Sequence, residues 1–170
     1  MNFAIAQVMG CIALIILIIS FQNNNKKILL KYQIVSSFIY GLQYLFLNAY
    51  SGFLINFMCM IRNYIFNKYE KGRPHIYWLI IMNILFIIIS VFTYNGLISI
   101  LPTISVIIYT FAIWTGNLKV IRFTEIIACS LYLIYNIEVY AITGFIATVV
   151  EFIAGIIAVY RFDIKKKVIE

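Results

Sequence analysis

The chain has 170 residues, 64% apolar and only 11% charged, with a mean hydropathy of +1.00; a water-soluble domain is about 45 to 50% apolar and about 25% charged. Such a composition cannot cover a soluble surface and places the chain in a bilayer, where a net charge of +7 reads as basic rims beside anionic lipid headgroups, with no nucleic-acid role. Six acids, one histidine and three cysteines leave little material for hydrolytic or metal-dependent chemistry, so the sequence predicts no enzyme, no cofactor and no metal.

A hydrocarbon core of about 30 Å takes roughly 20 helical residues. The first apolar stretch of that length covers residues 2 to 20. Its Val8-Met9-Gly10-Cys11 is similar to a lipoprotein cleavage box, but no basic residue precedes it and the apolar run lies mostly after the cysteine, so it reads as a retained span. Polar FQNNNKK leads into a second stretch, 28 to 48, and the short NAYS into a third, 52 to 67. Charged NKYEKGRPH precedes the fourth, 76 to 94, and a tight YNG separates it from the fifth, 97 to 115, which opens on Leu101-Pro102. TGNLK and IEVY bound the sixth and seventh, 119 to 137 and 141 to 160, and spans and short loops use up the sequence. Cys11, Cys59 and Cys129 fall in different spans without paired spacing and read as apolar packing.

Orientation follows from Lys and Arg, which accumulate on the cytoplasmic side. Lys26, Lys27 and Lys31 follow span one; Arg62, Lys68, Lys71 and Arg73 end or follow span three. Lys119 and Arg122 follow span five; Arg161, Lys165, Lys166 and Lys167 follow span seven, and the turns after spans two, four and six hold no basic residue. The N-terminus is therefore expected outside and the C-terminus in the cytoplasm. Trp78, Trp114, Tyr69 and Tyr160 fall near the basic rim, and Tyr50, Tyr94 and Tyr140 near the opposite one, as interfacial belts.

Sliding the chain on itself by 92 residues pairs Lys27 with Lys119, Tyr40 with Tyr132, Ala49 with Ala141, Ser51 with Thr143 and Gly52-Phe53 with Gly144-Phe145. Two like-facing copies of three helices need one further span between them, and residues 76 to 94 supply it. The expected architecture is all-α and integral to the membrane: seven transmembrane helices as two parallel three-helix repeats joined by a linker helix. Residues 1–67 form the first repeat, 68–96 a cytoplasmic loop and the linker, 97–161 the second repeat and 162–170 a cytoplasmic tail. Parallel repeats of this kind build transporters with a substrate path between the halves near the midplane.

Several residues carry a family resemblance: Gln7-x-x-Gly10, Ser20-Phe21-Gln22 before a basic loop, Gly52 with Arg62, Leu101-Pro102, Tyr135-Asn136, and Glu151 with Arg161. Over nearly its whole length the chain resembles the bacterial YgjV family of small inner-membrane proteins. That family is similar in plan to the SWEET and SemiSWEET sugar transporters, the PnuC vitamin transporters and the KDEL receptor. The resemblance implies a SWEET-like 3+1+3 fold, a bacterial inner-membrane location and a transporter-like ancestry.

An ionisable side chain at mid-bilayer costs several kcal/mol unless it faces a cavity or a partner. Glu151, about ten residues into span seven and so roughly 15 Å deep, is the clearest candidate for a substrate path and its deep proton site. Asn56 aligns with Thr148 across the repeat, and together with Glu151, Asn136 and Gln43 they are expected to line that path; the ordinary alternative is hydrogen bonding between helices. Arg62 can snorkel to the cytoplasmic rim as an anchor; if it pairs with Glu125, the two form a cytoplasmic gate. Pro102 is a candidate helix kink, and Tyr109, Trp114 and Tyr135 could stack a ring-shaped substrate. The expected function is a small-molecule transporter or facilitator for a small polar or ring-shaped substrate. The alternative is a non-transporting receptor or assembly protein on the same fold.

Overall fold

The computed structural model describes residues 2–47, 50–69, 73–94, 96–138 and 142–165. Ala49, Lys71, Tyr140, Ala141, Lys166 and Lys167, and the side chains of Tyr50, Ser51 and Thr143, lie outside the described residues. The described chain is helical: α1 (Asn2–Phe21), α2 (Lys26–Phe46), α3 (Tyr50–Asn67), α4 (Ile76–Phe92), α5 (Ile100–Thr115), α6 (Leu118–Glu138) and α7 (Ile142–Val159). A 3-10 turn, Leu97–Ser99, precedes α5, and a wide π-type turn, Tyr160–Ile164, follows α7.

Four stretches are long and apolar enough to cross a membrane: Ala4–Phe21, Leu97–Thr115, Leu118–Glu138 and Gly144–Ile164. The helix Ile76–Phe92 is apolar but shorter. The helices α2 and α3 are diluted by Gln33, Ser36 and Ser37, and by Asn56, Arg62 and Asn63, which turn away from lipid into the bundle. Apolar exposure runs the other way, with Val8, Val91, Phe92 and Leu97 among the most exposed side chains. That inversion suits a chain whose outer solvent is hydrocarbon.

The helix ends follow local chemistry. The Asn25 side chain caps α2 by accepting from the Lys27 and Ile28 amides, and Asn117 accepts from the Lys119 amide at the start of α6. Gly116, at φ 71, ends α5 in the left-handed conformation that only glycine adopts without strain.

Packing runs α1 against α2 against α3, and α5 against α6 against α7, with α2 and α6 central. The two groups meet where α1 touches α7 and α3 touches α5, while α4 packs outside on α5 and α3. Small residues allow the close approaches. Ser36 Oγ on α2 donates to the Ala13 carbonyl on α1 at 2.8 Å. Ser105 Oγ on α5 donates to the Ala128 carbonyl on α6 at 3.1 Å. These are the same two positions, 92 residues apart, with donor and acceptor exchanged.

The buried apolar cluster that joins the groups is at the basic end. It consists of Leu29 and Leu30 of α2, Phe66 of α3, Tyr109, Ala112 and Ile113 of α5, and Ile121 of α6.

Candidate functional site

A cavity of about 280 Å³ lies along the axis of the bundle. Its walls come from α1, α2, α3, α5, α6 and α7, and α4 contributes none of the described lining residues. On α2 the lining positions are 33, 36, 37, 40 and 44; on α6 they are 125, 128, 129, 132 and 136, the same set displaced by 92. At about 1.5 Å per residue each stripe extends about 16 Å along its helix. On α3 and α7 the pairs Asn56 and Thr148, and Cys59 and Glu151, both face inward and also differ by 92.

Local bonding repeats as well. Asn56 Nδ2 donates to the Gly52 carbonyl one turn back at 2.9 Å, and Thr148 Oγ1 to the Gly144 carbonyl at 2.8 Å. A β-carbon on Gly52 would lie 2.6 Å from the Tyr44 ring, and one on Gly144 3.1 Å from the Asn136 amide. Gly52→Ala should therefore drive the Tyr44 ring into the cavity and cost about 1 to 3 kcal/mol by overpacking. Gly10→Ala, which meets only the flexible end of Gln43, should cost under about 1 kcal/mol. Thermal unfolding of the two variants checks the order.

Of the expected path residues, Glu151, Asn56, Thr148 and Asn136 all border the cavity. Asn136 Nδ2 donates to Thr148 Oγ1 at 3.1 Å, and the Tyr40 hydroxyl donates to Glu151 Oε1 at 3.4 Å. Gln43 is not in the lining. It packs against Gly10 of α1, so its expected place in the path is corrected to an α1–α2 contact.

Arg62 and Glu125 both border the cavity but do not pair, since the one ion pair among the described residues joins Arg122 and Asp163. Arg62 is 3% exposed, so it does not snorkel to the rim. Its Nε donates to Asn63 Oδ1 at 3.1 Å and its Nη1 to Thr110 Oγ1 at 3.0 Å. The guanidinium carbon stands 5.4 Å from the centre of the Tyr109 ring and 5.8 Å from that of Phe86. Gln33 extends this layer, donating to the Tyr109 hydroxyl at 2.5 Å and accepting from Asn63 at 3.5 Å. Glu125 instead accepts from the Cys129 thiol at 3.5 Å. The expected gate pair is thus replaced by a cationic layer on one wall and an acid–thiol contact on another.

Pro102 is the third residue of α5, in the first turn, where its missing N–H removes no helical hydrogen bond. Its place there is a helix start. Of the three aromatics proposed for ring stacking, only Tyr109 borders the cavity. Trp114 Nε1 donates to the Pro74 carbonyl at 2.8 Å under the Arg73 guanidinium, and Tyr135 faces a smaller space beside Pro102 and Phe86.

The tie at the basic end has no signature in the sequence. Arg122, 1% exposed, donates from Nη1 to both Asp163 oxygens at 3.2 and 3.1 Å. Its Nη2 donates to the Asn23 carbonyl at 3.3 Å and to Asn24 Oδ1 at 2.9 Å. Gln22 adds a bond to the Ala154 carbonyl. Beside them the Lys26 ammonium is enclosed without a hydrogen-bond partner among the described residues, and burial holds its pKa below the usual lysine value.

A family model described as bacterial inner membrane protein, Imp-YgjV, matches residues 4–166. Comparison with curated proteins and with solved structures finds no match. The chain belongs to this inner-membrane family, and its long apolar helices fit a membrane protein.

Proposed function

We propose that this member of the inner-membrane family is a transporter or facilitator for a small polar or cationic solute, which passes through the central cavity. In this reading all seven helices span the membrane, with the N-terminus outside and the basic end in the cytoplasm. Residues 1–67 and 97–161 form two parallel three-helix bundles bridged by 68–96, and 162–170 are a cytoplasmic tail. The observation that carries the reading is the polar cavity itself, lined on α2 and α6 by one set of positions displaced by 92 residues and bypassed by α4. Matched Ser–carbonyl bonds, helix caps and glycine contacts support the same internal repeat. At about 280 Å³ the cavity is at the lower limit of small-molecule sites, roughly 300 to 1,000 Å³. This favours a small solute over a nucleoside.

Proteoliposomes containing the protein are expected to show saturable uptake of at least one member of a panel of small sugars, amines and cations. Glu151→Gln or Asn56→Leu should lower that uptake about fivefold, because each removes a polar group facing the path. A panel that yields neither flux nor ligand-dependent thermal stabilisation would sink the proposal. A second reading, a receptor that binds without transporting, draws on the closed basic end, where the apolar cluster and the Arg122 tie hold the halves together. It predicts thermal stabilisation by a ligand without flux.

A further inference from the structure

The acids of the cavity are all on one half. Glu125 and Cys129 of α6 and Glu151 of α7 bring a carboxylate, a thiol and a second carboxylate within 4.8 Å of one another. Their counterparts 92 residues earlier are Gln33, Ser37 and Cys59, of which Gln33 is bonded into the Arg62 layer. Glu125 is only 8% exposed and borders the cavity. Among the described residues its one hydrogen bond comes from Cys129 within the set, and no cation stands within ion-pair distance of it. The nearest candidate, Arg62, is already engaged by Asn63, Thr110 and two aromatic faces. A carboxyl group buried in this way is paired with a cation, bound to a metal or protonated, and here it borders a cavity that has room for an ion.

We propose that Glu125, Cys129 and Glu151 bind a thiophilic divalent cation, of the zinc or cadmium class, in the central cavity. The proposal rests on reading that cavity as the solute site and names the class of solute. The donor set selects the class: carboxylate oxygens alone suit magnesium or calcium, whereas a thiolate among them favours a softer ion. Tetrahedral ligands at about 2.0 to 2.3 Å from a metal stand about 3.5 Å apart, so side-chain movements of about 1 Å close the set. Charge closes too. Two carboxylates and a thiolate carry three negative charges, matched by the divalent ion and the Arg62 guanidinium on the same cavity, and the thiol proton, with any proton held between the two carboxylates, leaves to solvent on binding. Tyr40, donating to Glu151 Oε1, orients one ligand from the other half. Three protein ligands leave a fourth position open, as an ion that must enter and leave requires.

The test uses the full chain in lipid nanodiscs, stripped of metal by chelation and titrated with cobalt(II), whose thiolate complexes absorb in the near ultraviolet. The expected result is one cobalt per chain with a thiolate band, displaced by zinc or cadmium and unaffected by excess magnesium or calcium. Cys129→Ser should abolish the band. Glu125→Gln and Glu151→Gln, which leave the thiol intact and so serve if Cys129→Ser does not fold, should each weaken binding about tenfold or more. Cys11→Ser and His75→Ala should bind like wild type. A missing band in wild type, a band that survives Cys129→Ser, or glutamine variants of unchanged affinity would overturn the site. Flux is measured separately. Cobalt binding without uptake of any solute ends the transport reading and leaves the site, whereas uptake without a thiolate band does the reverse.

Discussion

Arg122→Ala is expected to destabilise the protein by about 3 kcal/mol, the low end of the range for removing one member of a buried ion pair. For a chain of this size that corresponds to a fall in melting temperature of roughly 6 to 12 °C. The substitution strands Asp163, whose side chain is 10% exposed, and releases the Asn23 carbonyl and the Asn24 amide from the start of α6. Water at the basic end can solvate part of what is left, which keeps the loss from being larger. Asp163→Asn retains an acceptor for the guanidinium and should cost about 1 kcal/mol. The double variant should lose less than the sum of the two, because either substitution alone already breaks the contact. An Arg122→Ala protein within about 0.5 kcal/mol of wild type would show that the tie is ornamental.

The same contact bears on the proposed transport. It joins the α1–α2 loop to α6 and to the turn after α7, so it bridges the two three-helix groups at the end where the apolar cluster also closes the bundle. If the cavity opens toward that end during a transport cycle, the tie must break once per cycle. Asp163→Asn should then raise flux while lowering stability, a combination that a static staple does not produce. The π-type turn Tyr160–Ile164 carries Asp163 to its partner, and such turns recur at functional positions.

The helices were legible because this sequence alternates long apolar runs with short polar punctuation. Asn25 and Asn117 cap α2 and α6, and Gly116 ends α5, close to where composition placed the boundaries. The inward placement of Asn56 and Thr148 was legible from their match across a shift of 92 residues, and that of Glu151 from the cost of leaving an ionisable side chain unpartnered in a long apolar stretch. Gln43 shows the limit of that reasoning. Between residues of similar polarity on α2, a rotation of one helical edge decides whether the side chain meets the cavity or α1, and periodicity within one helix does not say which neighbour stands there. Arg62 was misread, and the tie at Arg122 went unseen, because their partners are distant in sequence. Thr110 is 48 residues from Arg62, and Asp163 is 41 from Arg122. A depth estimate along one span carries no information about a hydroxyl or carboxylate presented by another helix.

At Arg62 the size and order of mutational effects separate two accounts of why a guanidinium is held so deep. If net charge alone holds it, opposite Glu125 and Glu151, lysine should substitute better than any neutral residue. The geometry argues for the fork and the rings instead. Two charge-assisted hydrogen bonds are worth about 1.5 to 3 kcal/mol each, and two aromatic contacts about 1 kcal/mol each. Against them stands, where α3 crosses the bilayer as proposed, a desolvation penalty of about 2.5 to 3.5 kcal/mol for a charged side chain. Arg62→Leu forfeits the contacts but escapes the penalty, for a net loss of about 2 to 5 kcal/mol. Arg62→Lys keeps the penalty, since an ammonium is more strongly hydrated than a guanidinium, and cannot serve Asn63 and Thr110 together with one donor point. Its loss should be larger than that of Arg62→Leu, so the expected order of melting temperatures in lipid nanodiscs is wild type, then leucine, then lysine. A lysine variant more stable than the leucine variant would show that charge balance within the cavity, rather than the hydrogen-bonded layer of Gln33, Asn63, Thr110 and Tyr109, keeps a cation at this depth.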